Sequence, residues 1–116
     1  MLDLDQGSLD RHVSVFASLS EMVPVVMVAH VVVPSLGDTE RPASLSAAAV
    51  ERAASLPGSP VVLSDDLEMG ALDAWGDLTD RVVYALRARN HGILLSTAFD
   101  RLAEVAFALR SEAATD

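Results

Sequence analysis

The sequence predicts an α/β protein made of about three consecutive helix–strand units stacked into a parallel layer. Two observations carry this. Apolar residues at helical spacing alternate along the chain with short runs rich in β-branched residues. Those runs show no polar alternation, the pattern of strands buried on both faces in a parallel sheet. The resulting order, αβ, αβ, αβ, is that of crossover-connected units. With 116 residues the chain is expected to be a single domain, 1–116, or part of a larger one.

Leu9, Val13, Phe16 and Leu19 recur at helical spacing, with Asp5 or Ser8 available as a cap, so 8–22 is read as an amphipathic helix. The stretch from Pro24 to Val33 follows as the first strand. Pro34-Ser35-Leu36-Gly37-Asp38 and Arg41-Pro42 mark a long loop. Ser46 is a candidate cap for a short Ala-rich helix over 47–56, stopped by Pro57-Gly58. The second strand is 60–64. Asp77 caps a helix over 78–89 whose Val82, Val83 and Leu86 face inward. Asn90-His91-Gly92 stops it, Ile93 to Ser96 forms a third strand, and 99–113 is a last helix with Leu102, Val105, Ala106 and Leu109 inside.

Composition removes several functions. The net charge of −9 argues against nucleic acid and anionic membrane surfaces as partners. All eight basic residues are Arg, and no Lys is available for catalysis. Without Cys there is no disulfide, thiolate metal site or Cys nucleophile. His12, His30 and His91 lack ligand spacing, and the acidic series Asp65, Asp66, Glu68, Asp73, Asp77, Asp80 lacks the order of a calcium loop, so neither a metal nor a cofactor is expected. The acidic N-terminus has no signal-peptide pattern. The longest apolar run, Val23 to Val33, is broken by Pro24 and His30 and falls below the ~18–20 residues of a membrane span. The expectation is a soluble, cytoplasmic protein.

The most informative stretch is Pro60-Val61-Val62-Leu63-Ser64-Asp65-Asp66-Leu67-Glu68-Met69-Gly70. A buried strand ends in two adjacent carboxylates, at the strand mouth where α/β proteins place their chemistry. From these residues alone either Asp is a candidate, and a helix cap or solvated loop carboxylate is the commoner role. Along an extended backbone the two point in opposite directions. His30, alone in an apolar strand, is more often a hydrogen-bonded core residue than a ligand. Trp75, before Gly76, more often anchors a loop onto the core than stacks on a sugar.

Taken together, Val26-Met27-Val28-Ala29-His30-Val31, Arg41-Pro42-Ala43-Ser44-Leu45-Ser46 and Val62-Leu63-Ser64-Asp65-Asp66-Leu67-Glu68-Met69-Gly70-Ala71 resemble glycoside hydrolase family 3, in its bacterial beta-N-acetylhexosaminidase branch. The resemblance spans about Leu2 to Leu109. It implies the sixth, seventh and eighth strands of a TIM-like (β/α)8 barrel. Such a barrel takes ~250 residues, so the chain has material for roughly three-eighths of one. The resemblance further implies that Asp65 is the nucleophile of a retaining glycosidase acting on terminal N-acetylglucosamine of muropeptide-type glycans. It also implies that His30, Ser64 and Met69 line the sugar pocket and that Asp66 is a cap or supporting residue.

The chain departs from that family by omission. The family's general acid/base, a His paired with an Asp near a Lys-His-Phe-Pro-Gly-His-Gly motif, has no counterpart here. Arg89-Asn90-His91-Gly92 stands where the family carries a small Ala-Gly-Ala-Asp turn, and the link from Leu56 to Pro60 is short. The isolated chain is therefore expected to have little or no activity, since general acid–base help contributes ~10²–10⁴-fold. The alternative is a non-catalytic barrel remnant that self-associates or docks onto a partner through exposed sheet edges. A phosphoacceptor receiver domain matches the length, but not the absence of Lys or the number of strands.

Overall fold

The computed structural model describes residues 1–115. Four α-helices and three strands alternate as predicted: α1 Gln6–Leu19, β1 Val25–Val28, α2 Ala47–Ala54, β2 Val61–Asp66, α3 Leu78–Arg87, β3 Gly92–Leu94 and α4 Leu102–Ala113. Short 3-10 turns at Pro34–Leu36, Ala43–Leu45, Gly70–Trp75 and Phe99–Arg101 lie between them. The strands form one parallel sheet in the order β1-β2-β3, with Val25 opposite Val61, Met27 opposite Leu63 and Asp66 opposite Leu94. The central strand is thus the one that carries the carboxylates.

Local chemistry explains the boundaries. Asp5, rather than Ser8, caps α1 by accepting the Ser8 N–H at 2.8 Å. Asp77 and Asp80 form a reciprocal capping box at the start of α3. Ser46 precedes α2 but makes no side-chain cap; its buried side chain hydrogen-bonds the Asp38 carboxylate instead. The end of α3 is a Schellman closure. The Asn90 N–H reaches the Ala85 carbonyl at 3.2 Å, and the Arg89 N–H reaches Leu86 at 2.8 Å. Arg89 occupies the left-handed position, φ 70°, where glycine is ordinarily found.

The first strand is shorter than the apolar run that predicts it. Beyond Val28 the backbone turns its hydrogen bonds elsewhere: the Ala29 carbonyl accepts from Ser44, Val31 from Ala43, and Val32 from Leu2. These partners draw residues 29–32 out of the sheet. Conversely, β2 runs two residues further than expected. The β2–β3 pairing continues through Asp66, and the Leu67 N–H bonds the Leu94 carbonyl at 3.0 Å. Both carboxylates therefore sit inside the strand's last turn of pleat rather than beyond it.

The core lies on one side of the sheet. Leu45, Leu67, Leu72, Leu78, Val82, Ala85 and Val105 form one buried cluster, and Val28, Ala43, Ala49, Val50, Val62 and Ala88 another. Trp75 anchors the Gly70–Trp75 turn onto the first cluster, edge-on to Tyr84 with ring centroids 5.6 Å apart. The other sheet face is bare. Val25 and Met27 on β1 and Val61 on β2 share that face by register and are 43%, 50% and 46% exposed. This corrects the expectation of strands covered on both faces: the strands are apolar on both, but helices pack against only one. The stripe on α1 fares similarly. Leu9 is buried, whereas Phe16 and Leu19 stay exposed. On α4, Val105 is buried but Leu102 is half exposed. Among the described residues no helix is long and apolar enough to cross a membrane.

Candidate functional site

The candidate site is the C-terminal end of β2 and the loops that follow β2 and β3. Asp65 continues the alternation of Val61 and Leu63 towards the bare face, and Ser64 lies on the other; the β2–β3 register shifts between Leu63 and Asp66, so Asp66 is placed by its hydrogen bonds rather than by alternation. Asp65 is half-buried. One of its oxygens, Oδ1, accepts the Asp66 N–H at 2.8 Å, and Oδ2 has no hydrogen-bond partner among the described residues. A carboxylate with one oxygen held and the other free is oriented and still able to act.

Asp66 is fully employed. Oδ1 accepts the Glu68 N–H at 3.0 Å, Oδ2 accepts the Ser96 hydroxyl at 2.5 Å, and the backbone carbonyl accepts the Met69 N–H at 3.1 Å. Glu68 completes a clasp between the two loops. Its carboxylate takes the Ser96 and Thr97 N–H groups at 2.6 and 2.8 Å and the Thr97 hydroxyl at 2.5 Å. The Thr97 hydroxyl, then the Thr97 backbone N–H, hold its pKa down to about 2, because each bond favours the charged form. Arg81 braces the same loop from α3, donating to the carbonyls of Leu67 and Gly76 at 3.0 Å each and to Asp73 at 3.2 Å.

The structure brings His30 to this cluster: its Nε2 lies 2.7 Å from the Asp66 carbonyl and its Nδ1 2.6 Å from the Ser44 hydroxyl. Ser64 lies behind the site, fully buried, accepting the Leu94 N–H at 3.3 Å across the β2–β3 pair. Met69 borders the mouth and is 43% exposed. Glu68, Ser96, Thr97, Arg81 and Asn90 carry this architecture without having been singled out for it by sequence reasoning. The available signals were Arg81 beside the apolar Val82-Val83 stripe and the Ser-Thr pair at the end of the third apolar run.

No His, Asp and Glu cluster among the described residues has an arrangement that could hold a metal ion. An apolar groove of about 200 Å³ lies under α1, lined by Leu9, Val13, Phe16, Val28, Leu36 and Ala49 among others. None of its lining residues is a carboxylate or a His, so it is separate from this chemistry.

The molecule so far is a helix-backed parallel sheet presenting one oriented carboxylate on its open face. Comparison with solved structures narrows the class. The chain is similar to a glycoside hydrolase family 3 beta-N-acetylglucosaminidase from Paenibacillus sp. str. FPU-7, with a TM-score of 0.82 and 30% identity over 95% of this chain and 22% of that one. It is similar to Zn-bound CbsA from Thermotoga neapolitana, with a TM-score of 0.77 and 26% identity over 95% of this chain and 24% of that one. A fungal multi-domain GH3 beta-N-acetylglucosaminidase shares the fold, with a TM-score of 0.76 and 22% identity over 95% of this chain and 14% of that one. No protein-family model matches the chain, and no curated protein matches it. These neighbours support a relation to glycoside hydrolase family 3. The chain spans less than a quarter of the length of each of them.

Proposed function

We propose that this chain carries the nucleophile-bearing part of a retaining beta-N-acetylhexosaminidase of glycoside hydrolase family 3. Its three units would correspond to the sixth, seventh and eighth strands of a TIM-like barrel. The observation that carries this is Asp65, at the end of the central strand, with Oδ1 held and Oδ2 free on the uncovered face. Oδ2 attacks the anomeric carbon of a terminal N-acetylglucosamine, and the bond from that carbon to the leaving oxygen breaks. A covalent glycosyl ester forms, which water then hydrolyses. The leaving oxygen needs a proton from a second group. Both ring nitrogens of His30 are occupied and Asp66 and Glu68 are tied to the loops, so among the described residues no group at the site is free for that role. Soluble muropeptide-type glycans in the cytoplasm are the substrates on this proposal, with Met69 at the pocket wall. The isolated chain has little or no turnover.

The test is a graft. The matching segment of the Paenibacillus enzyme is replaced by this chain and hydrolysis of an aryl N-acetylglucosaminide is followed. Turnover that disappears in Asp65→Asn supports the proposal; turnover unaffected by Asp65→Asn refutes it. Measurable turnover by the isolated chain, lost in Asp65→Asn, refutes the claim of insufficiency.

A second reading is favoured by the bare sheet face. Val25, Met27 and Val61 form an apolar surface flanked by two strands, β1 and β3, each paired on one side only. On this reading the chain is non-catalytic and acts by self-association or by docking onto a complementary partner.

A further inference from the structure

We infer that His30 is a positioning residue that orients Asp65 through the backbone of Asp66, rather than a ligand for sugar. The inference rests on Asp65 being the nucleophile. A carbonyl oxygen only accepts, so the 2.7 Å contact to the Asp66 carbonyl assigns the ring proton to Nε2. Nδ1 lies 2.6 Å from the Ser44 hydroxyl, which serves as its hydrogen-bond partner. Neither nitrogen is left for a substrate hydroxyl.

The other end of this latch is rigid. Ser44 is completely buried, and its N–H bonds the Ala29 carbonyl at 3.1 Å. Its carbonyl accepts from Asn90 Nδ2 at 2.8 Å, and the same amide reaches the Ala85 carbonyl at 2.9 Å. The exit of β1, the turn before α2 and the end of α3 are thereby joined at one serine and one histidine. His30 transmits that rigidity to Asp66. The Asp66 N–H, in turn, fixes Asp65 Oδ1 at 2.8 Å and leaves Oδ2 presented. Within this network Asn90 Oδ1 is buried and has no partner among the described residues, so the latch rests on the Asn90 amide and on the Ser44 and His30 bonds.

Nuclear magnetic resonance on the whole 116-residue chain tests the latch. The His30 ring should carry a proton on Nε2; a ring with Nε2 unprotonated overturns the inference. In His30→Leu the Asp66 amide proton should exchange about tenfold faster, the equivalent of one lost hydrogen bond, beyond any change in the amides of α3. His30→Gln, whose side-chain N–H can donate to the Asp66 carbonyl, should restore most of the protection. A merely structural histidine would change all amides alike and show no such rescue. Should His30→Leu not fold, Ser44→Ala carries the same test, with mixed ring tautomers and a shifted Asp65 carboxyl resonance expected. Unchanged Asp65 and Asp66 signals in either variant overturn the latch but not the nucleophile, which stands or falls on the dependence of the graft's turnover on Asp65.

Discussion

Replacing Met27 with Lys probes what the bare sheet face does. Met27 lies on that face on the edge strand β1, opposite Leu63 and 50% exposed. Burying a Met side chain completely is worth roughly 1.5–3 kcal/mol, so covering the remaining half is worth about 1 kcal/mol. In a two-fold dimer the contact occurs twice, giving about 2 kcal/mol, or roughly a 30-fold weaker dissociation constant when it is lost. The Lys ammonium makes this a lower bound, since a charge must then be buried or the interface abandoned. Folding itself should change by no more than about 0.5 kcal/mol, because the side chain faces water within the monomer. Sedimentation velocity over a wide concentration range reads the association, and urea unfolding of the same samples reads the stability. If the unsubstituted chain is a cooperatively folded monomer at every concentration, the sheet face is not an association surface. If Met27→Lys unfolds the monomer, the face is not bare.

Further perturbations probe the loops and the core. Glu68 has a folded-state pKa of about 2 against an ordinary value of 4.5, so its stabilising contribution is complete above about pH 4.5 and is lost as pH falls towards 2. Glu68→Gln should flatten that part of the profile of melting temperature against pH, and an unchanged acid limb would show that the clasp is not formed. Leu67→Ala, at a side chain with no exposed surface, should cost about 2–5 kcal/mol in urea unfolding; a loss under 1 kcal/mol would place Leu67 outside the core. Gly76 has φ 85°, and a Cβ there would collide with the Asp80 carboxylate that closes the α3 capping box. Gly76→Ala should therefore destabilise by more than about 1 kcal/mol, and a neutral result would contradict that turn geometry. Arg89→Gly should raise stability by up to about 1 kcal/mol by relieving a left-handed non-glycine residue, as thermal unfolding would show.

The order of helices and strands was legible in the sequence because periodicity and caps act locally. Asp77 at the start of α3 and the apolar run leading to Asp65 both announce themselves. What was not legible depends on contacts distant along the chain. The run to Val33 is apolar enough for a long strand, yet Ser44, Ala43 and Leu2 claim its carbonyls from Ala29 onward. Apolar strands buried on both faces and strands with one face uncovered have the same composition, so Met27 and Val61 could not be told from core residues. In the site, Asp65 and Asp66 differ by their hydrogen bonds, which alternation does not give in a strand whose register shifts between Leu63 and Asp66. The clasp of Glu68 with Ser96 and Thr97 spans about thirty positions and has no local signature. His30 stands out in the sequence as a lone polar residue in an apolar run, but its two partners, Ser44 and Asp66, lie 14 and 36 residues away.

The central claim, that Asp65 supplies the nucleophile and needs a proton donor from outside this chain, is met most directly by trapping the intermediate. The graft described above is quenched during turnover of an aryl N-acetylglucosaminide, digested, and analysed by mass spectrometry. A glycosyl adduct on Asp65, absent from Asp65→Asn and from the isolated chain, is the predicted result. An adduct on Asp66 or Glu68, or turnover that persists in Asp65→Asn, would contradict it.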